Sequence, residues 1–262
     1  MGRDYRDAVV VVTGAGGGIG RALSVALASK GARLALVGRR AGPLEETAGL
    51  MTGARPLVLP CDVSDAEAVA GLRGRVEAGL GEIEVLVNNA GRGAYGPFEE
   101  VPLADHRAVV ETNLMGVIHT THRVLPSMLR RQRGQLVFVS SVLGELPSPD
   151  HAVYGATKFA VTGLGESLAH ELRGTGVSVT VVEPGLVHSG FHEVSRTPMK
   201  RFGQVPSKSS EEAAAEVLRA MERQRRLHVA DRWVGLAIRM RRLAPRSFGR
   251  VFGVVWGRMR RR

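Results

Sequence analysis

The sequence predicts an α/β fold, a doubly wound parallel sheet with helices on both faces and a basic helical tail behind it. Three observations predict it. Short β-branched runs alternate with longer, more polar segments. The runs are apolar at successive positions rather than alternate ones, as strands buried on both faces are. A glycine-rich turn stands directly after the first run, where a parallel strand passes into its crossover helix.

Taken in order, the predicted strands are Ala8 to Val12, Arg33 to Val37, Arg55 to Pro60, Ile83 to Val87, Gln135 to Ser140 and Val177 to Val182. Helices are predicted near Ile19 to Ser29, Pro43 to Met51, Asp65 to Gly79, Leu103 to Arg130, Val153 to Arg173 and Ser210 to Arg223. Asp65, after Ser64, suits a helix start. Leu186 to Ser209 has no regular period and is rich in Pro, Ser, Lys and Arg, so it reads as a long loop of the kind that forms lids or binding elements.

At 262 residues and 44% hydrophobic composition, one α/β domain can bury a substantial core. The division expected is 1–222 for the α/β domain, with the long loop at 186–209 inside it, and 223–262 for an arginine-rich amphipathic tail. Cys61 has no second cysteine to pair with, and Met1 to Asp7 carries acids where a secretory signal needs an apolar run. A reducing, cytoplasmic setting is expected. No uncharged apolar run approaches the roughly 18 residues that span a bilayer.

The net charge of +11 has one source. Arg223 to Arg262 holds 13 arginines and one acid, Asp231, for +12; the other 222 residues hold 23 bases and 24 acids, for −1. Arguments from charge to partners therefore concern the tail.

The turn after the first strand reads Thr13-Gly14-Ala15-Gly16-Gly17-Gly18-Ile19-Gly20 and opens a helix. Glycines there let backbone N–H groups approach a pyrophosphate at the positive helix end. Alone, such a string is also ordinary turn chemistry. The spacing is T-G-x-x-x-G-I-G, and it resembles the short-chain dehydrogenase/reductase family, whose Rossmann fold binds a nicotinamide dinucleotide through Gly14, Gly18, Ile19 and Gly20.

Other segments extend the resemblance in chain order. Asn88-Asn89-Ala90-Gly91 matches the family's N-N-A-G, which implies that Asn89, Ala90 and Gly91 line the cofactor. Cys61-Asp62-Val63 resembles the place where Asp62 and Val63 read adenine; an Asp at a strand end is equally a cap. Pro184-Gly185-Leu186-Val187-His188-Ser189 resembles P-G-x-V-x-T, placing Pro184, Gly185, Val187 and Ser189 at the nicotinamide. The second strand ends Gly38-Arg39-Arg40, where an NAD-binding protein commonly has an acid. A carboxylate there would repel a 2′-phosphate and a guanidinium binds one, so Arg39 points to NADP. A solvated arginine pair is the plainer reading.

Tyr154 and Lys158 stand four apart, on one face of a helix, where an ammonium can lie near a phenol and favour its ionised form. Ser141 precedes Tyr154 by 13 residues, the family's spacing for the serine that bonds the substrate oxygen, and Asn113 matches the asparagine that links to the lysine through water. The resemblance thus implies a catalytic set of Asn113, Ser141, Tyr154 and Lys158 moving a hydride between NADP(H) and a carbonyl or secondary alcohol. Tyr154 and Lys158 would also touch the cofactor. The apolar character of Val142 to His151 and of Leu186 to Ser209 leans toward an apolar small molecule. His188 reads as a loop residue; His151 and His192 could face substrate. A binding protein that senses NADP, its active site unused, is the rival reading, and an enzyme acting on a nucleotide sugar is disfavoured by the short chain and the glycine pattern.

In relatives, the long helices around Asn113 and Tyr154 pair between subunits, which implies a homodimer or homotetramer. In the tail, Phe248, Val251, Phe252, Val255, Trp256 and Met259 form one apolar stripe, and Trp233, Leu236, Met240 and Leu243 form another before Pro245. Such basic amphipathic helices lie on anionic membranes, which would place the enzyme peripherally at the inner membrane face. Docking on protein is the alternative, and no recognition motif supports nucleic acid.

Overall fold

The computed structural model describes residues 3–188, 207–229 and 232–260. Seven parallel strands form one sheet in the order β3-β2-β1-β4-β5-β6-β7. They are β1 Val9–Thr13, β2 Arg33–Gly38, β3 Leu57–Pro60, β4 Val85–Asn88, β5 Gly134–Val139, β6 Val177–Glu183 and β7 Leu227–Val229. The order reverses between β1 and β4, so the sheet has its crevice there, at the carboxyl ends of the strands. Register carries Thr13 beside Val37 and Asn88 beside Phe138, which brings the post-strand motifs to that edge.

Two apolar layers explain the uninterrupted strand runs. Val10, Val12, Leu34, Leu36, Val85 and Val87 pack under α1 (Gly18–Ser29) and α8 (Ser210–Glu222). The alternate residues Val9, Val11, Ala35, Val37, Leu86 and Phe138 face the other way. There they meet α4 (Leu72–Leu80), α6 (Gly116–Arg130) and α7 (Ala152–Glu171). Both faces are covered, so polar alternation is absent.

The remaining elements show where local chemistry departs from the sequence reading. α2 spans Ala41–Gly49. The helix expected from Asp65 to Gly79 is divided by Gly71 into α3 (Ala66–Ala70) and α4, and Asp65 caps α3 by accepting from Glu67 and Ala68 N–H. The helix expected from Leu103 to Arg130 is α5 (Leu103–Val110) and α6 joined by a π-helical turn, Glu111–Met115. Ser209 and Glu212 close a capping box at the start of α8.

Strand β7 falls inside the segment read as tail: Leu227 pairs with Val181 and Val229 with Glu183. Beyond it come α9 (Arg232–Leu243) and α10 (Pro245–Arg260), the two helices that the apolar stripes predict. No helix among the described residues is long and apolar enough to cross a membrane. The long loop lies mostly outside the described residues, as do Ser189 and His192. Its ends meet, because His188 N–H donates to the Lys208 carbonyl at 2.8 Å and Lys208 N–H to the Leu186 carbonyl at 2.9 Å.

Candidate active site

At the crevice, Thr13 joins two motifs. Its hydroxyl donates to the Val87 carbonyl at 3.1 Å and accepts from the N–H groups of Asn89 and Ala90. Asn89 returns a bond from its side-chain amide to the Thr13 carbonyl at 2.9 Å. Asn88 points the other way, into α6, bonded to Thr120 and Thr121. Of the four residues Asn88 to Gly91, the first therefore ties sheet to helix, and the next two fasten the glycine loop.

The loop itself fits a dinucleotide. Gly14 and Gly18 take φ of +67° and +51°, values that disfavour a side chain. A Cβ at Gly17 would meet nothing within 4 Å, and no side chain caps the start of α1. The leading N–H groups of a helix have no intrahelical acceptor, so this open, positive end suits a pyrophosphate. Ile19 packs inward against the core beside it. Arg39 and Asp62 line a cavity of about 500 Å³ together with Arg92 and Arg107. Asp62 also accepts from Ser64 N–H and hydroxyl, so it caps its turn as well. Val63 is buried against Gly116.

At the other end of the crevice, Ser141 leaves β5 and opens a 3₁₀ turn, Val142–Gly144, accepting from Leu143 N–H. Tyr154 and Lys158 lie on α7 and are both buried. Ser141 hydrogen-bonds the Tyr154 phenol, and the Lys158 ammonium sits 5.7 Å from the Tyr154 ring centre while donating to the Val139 carbonyl at 3.0 Å. Burial pushes the phenol up to about 12 and the ammonium down to about 8. Desolvation thus outweighs the Ser141 bond, which lowers the phenol, and the lowering expected from the lysine does not emerge.

Asn113 sits on the π turn, fully buried. Its carboxamide accepts from Arg92 N–H at 2.8 Å and donates to the Arg92 carbonyl and to the Thr157 hydroxyl. Thr157 in turn donates to the Tyr154 carbonyl. The asparagine therefore joins the segment following Gly91 to the helix bearing Tyr154 and Lys158. Pro184 accepts at its carbonyl from Val142 N–H, and Val187 is buried where the long loop begins. His188 is exposed in that loop.

Several participants carry no signal in the sequence. Ser140 points away from Tyr154 and donates to the Lys158 carbonyl; its oxygen also lies 2.9 Å from the Thr162 hydroxyl, which donates to Glu183. Glu183 is fully buried, and that burial raises its carboxyl to about 7. Tyr95 stands edge-on to Tyr154, ring centres 5.5 Å apart, and packs on His151, whose Nδ1 bonds the Pro149 carbonyl. Desolvation pushes the Tyr95 phenol up and His151 down. With Leu143, Val101 and Val109 these rings give Tyr154 an apolar surround.

A family model described as short chain dehydrogenase matches residues 8–200. The chain belongs to the short-chain dehydrogenase/reductase family. It is similar to dehydrogenase/reductase SDR family member 7B of Bos taurus, at 31% identity over 94% of this chain and 80% of the relative. Among solved structures, it resembles a short-chain dehydrogenase/reductase from Burkholderia phymatum in complex with NAD. That likeness has a TM-score of 0.85 and 28% identity over 92% of this chain and 94% of the other. It also resembles the closed form of a serine dehydrogenase complexed with NADP+, with a TM-score of 0.75 and 30% identity over 80% and 87% of the two chains. The short-chain dehydrogenase/reductase fold binds a nicotinamide cofactor, and its members are oxidoreductases that act on small molecules and are commonly oligomeric.

Proposed function

We propose that the chain is an NADP(H)-dependent oxidoreductase that interconverts a carbonyl and a secondary alcohol on an apolar small molecule. The observation that carries this is the gathering of Ser141, Tyr154 and Lys158 at the carboxyl edge of the sheet, in the same crevice as an open glycine loop.

A bound nicotinamide supplies or accepts the hydride at carbon. The protein supplies the rest. Tyr154 holds its proton at neutral pH, the state that donation to a carbonyl oxygen requires. Ser141 donates to the same oxygen as charge develops there. Lys158 places a cation near the phenol and so favours its ionised form after the proton has left. Asn113, bonded to Arg92 and Thr157, fixes the α7 helix relative to the glycine loop. The apolar rings around Tyr154 exclude water and suit an apolar substrate.

Arg39 supports NADP over NAD. It shares its cavity with Arg92 and Arg107 and with two acids, Asp62 and Glu111, so guanidiniums outnumber carboxylates three to two, a surround that attracts a 2′-phosphate. kcat/KM should favour NADPH over NADH, and Arg39→Ala should reduce that ratio about tenfold or more, since bonds to charged groups contribute about 1.5–3 kcal/mol. A wild-type preference for NADH overturns the assignment.

The tail helices support a second part of the reading, attachment to an anionic lipid surface. On α9, Ile238 is buried while Leu236, Met240 and Leu243, on the opposite side of the helix, are exposed, Leu243 by 87%. Ten arginines and no acid stand between Arg232 and Arg262. An outward apolar stripe within a basic helix matches an interface of anionic headgroups. Full-length protein should float with vesicles containing phosphatidylglycerol and stay behind with phosphatidylcholine alone. Equal recovery in both argues against attachment.

A further inference from the structure

Glu145 is a buried carboxylate at the end of the turn that begins on Ser141. Its partners come from the far end of the chain. Arg242 on α9 forms a short ion pair with its Oε1, and Arg241 Nη1 donates to its main-chain carbonyl at 2.7 Å. The Arg241 guanidinium also lies 5.3 Å from the ring centre of Phe159, the neighbour of Lys158 on α7.

The same face of α9 buries Ile238, so the helix grips the domain by one apolar and two cationic side chains. Arg242 faces three carboxylates, those of Glu145, Glu166 and Glu183. Its bond to Glu145 raises its own affinity for the proton. A carboxylate buried as Glu145 is becomes strongly destabilising when its cation is removed, because nothing replaces the lost water. The contact therefore has a definite direction: the tail neutralises a charge that the substrate-side segment cannot solvate.

We propose that α9 is a strap of the active site, clasping Glu145 through Arg241 and Arg242 so that Val142 to His151 is held against α7 and Ser141 is positioned. Glu145 is a positioning residue, since it acts through Ser141 and touches no reacting atom. Neighbouring contacts fit this role. Gly144 and Leu146 N–H groups bond back to Ser141 and Val142, and Gly96 N–H holds the Asp150 carbonyl at the segment's other end. The clasp fastens the stretch between them. The inference rests on the hydride-transfer reading for the word active, and the test separates the two.

The test compares full-length wild type with Arg241→Ala/Arg242→Ala, and with that double variant also carrying Glu145→Gln to remove the orphaned charge. Amide hydrogen exchange is followed by mass spectrometry, and NADPH oxidation is followed with 4-nitrobenzaldehyde as the carbonyl probe. The double variant should exchange faster within Val142 to His151, with β1 and β5 still protected. Its kcat should fall about tenfold with the KM for NADPH unchanged, because a displacement of ~1 Å at a reacting group costs up to about 10²-fold. Glu145→Gln should raise the melting temperature lowered by the orphaned charge but leave the segment exchanging as fast as in the double variant. Unaltered exchange in that segment overturns the proposal. So does faster exchange spread evenly over the sheet in both variants, or a fall in kcat accounted for by fewer NADPH-binding sites per chain. Wild type inert toward the aldehyde, with the local exchange change present, removes the hydride-transfer reading and leaves the clasp standing.

Discussion

Replacing Tyr154 by phenylalanine should lower kcat by about 10²–10⁴-fold, the range that a positioned acid–base group contributes, and leave NADPH affinity largely intact. The substitution removes one hydroxyl and keeps the ring. Packing against Tyr95, edge-on at 5.5 Å, is retained, and so is the cation 5.7 Å from the ring centre. Ser141 stays available to the substrate oxygen, but the proton that Tyr154 passes to that oxygen is lost with the hydroxyl. Lys158 is an alternative donor. Its ammonium, brought down to about 8 by burial, is engaged with the Val139 carbonyl on the sheet side. Steady-state turnover of a carbonyl probe, together with NADPH fluorescence titration and a thermal melt, checks the outcome. A variant retaining more than about a tenth of wild-type kcat, with wild-type binding, removes Tyr154 from the role of general acid.

What could be read from the chain beforehand depended on distance along it. Five of the six longer strands were legible because each is buried on both sides and leaves an unbroken apolar run; β3, half-buried at the sheet edge, was legible from Leu57, Val58 and Leu59. β7 was not: three half-buried residues behind Arg225 and Arg226 look like the basic tail they introduce. The π turn at Glu111–Met115 has no compositional mark. It coincides with Asn113, whose side chain bonds the Arg92 backbone 21 residues away. Within the site, Gly14 to Gly20, Asn89 to Gly91 and Tyr154 to Lys158 stand close in sequence and could be read as groups. Ser140, Thr162 and Glu183 meet only through the fold, and Glu145 meets Arg242 from 97 residues away. The phenol illustrates a different gap. Spacing shows that Lys158 is near Tyr154, but the direction of the shift depends on how much water burial removes, which no spacing contains.

The second large effect concerns the last glycine of the loop. Gly20→Ala should lower the melting temperature by several degrees and weaken NADPH binding at least tenfold, whereas Gly17→Ala should leave the melting temperature unchanged. A Cβ on Gly20 would lie 2.2 Å from the Gly14 carbonyl oxygen and 2.5 Å from Asn89 Nδ2. Neither can give way cheaply. Gly14 is held at φ +67° next to Ala15, whose N–H bonds the Val37 carbonyl, and the Asn89 amide is bonded to Thr13. Overpacking of this kind costs about 1–3 kcal/mol, and in a domain of this size each kcal/mol shifts the melting temperature by roughly 2–4 °C. Relief must come from moving the loop off α1, and that displaces the N–H groups a pyrophosphate would meet. Gly17 differs on both counts: its φ of −175° is open to any residue, and a Cβ there meets nothing within 4 Å. Scanning calorimetry of both variants, with isothermal titration of NADPH into Gly20→Ala, separates the two positions. Equal stability would mean that the final glycine of T-G-x-x-x-G-I-G is not there for close approach of helix and strand, and the steric account of the loop would fall with it.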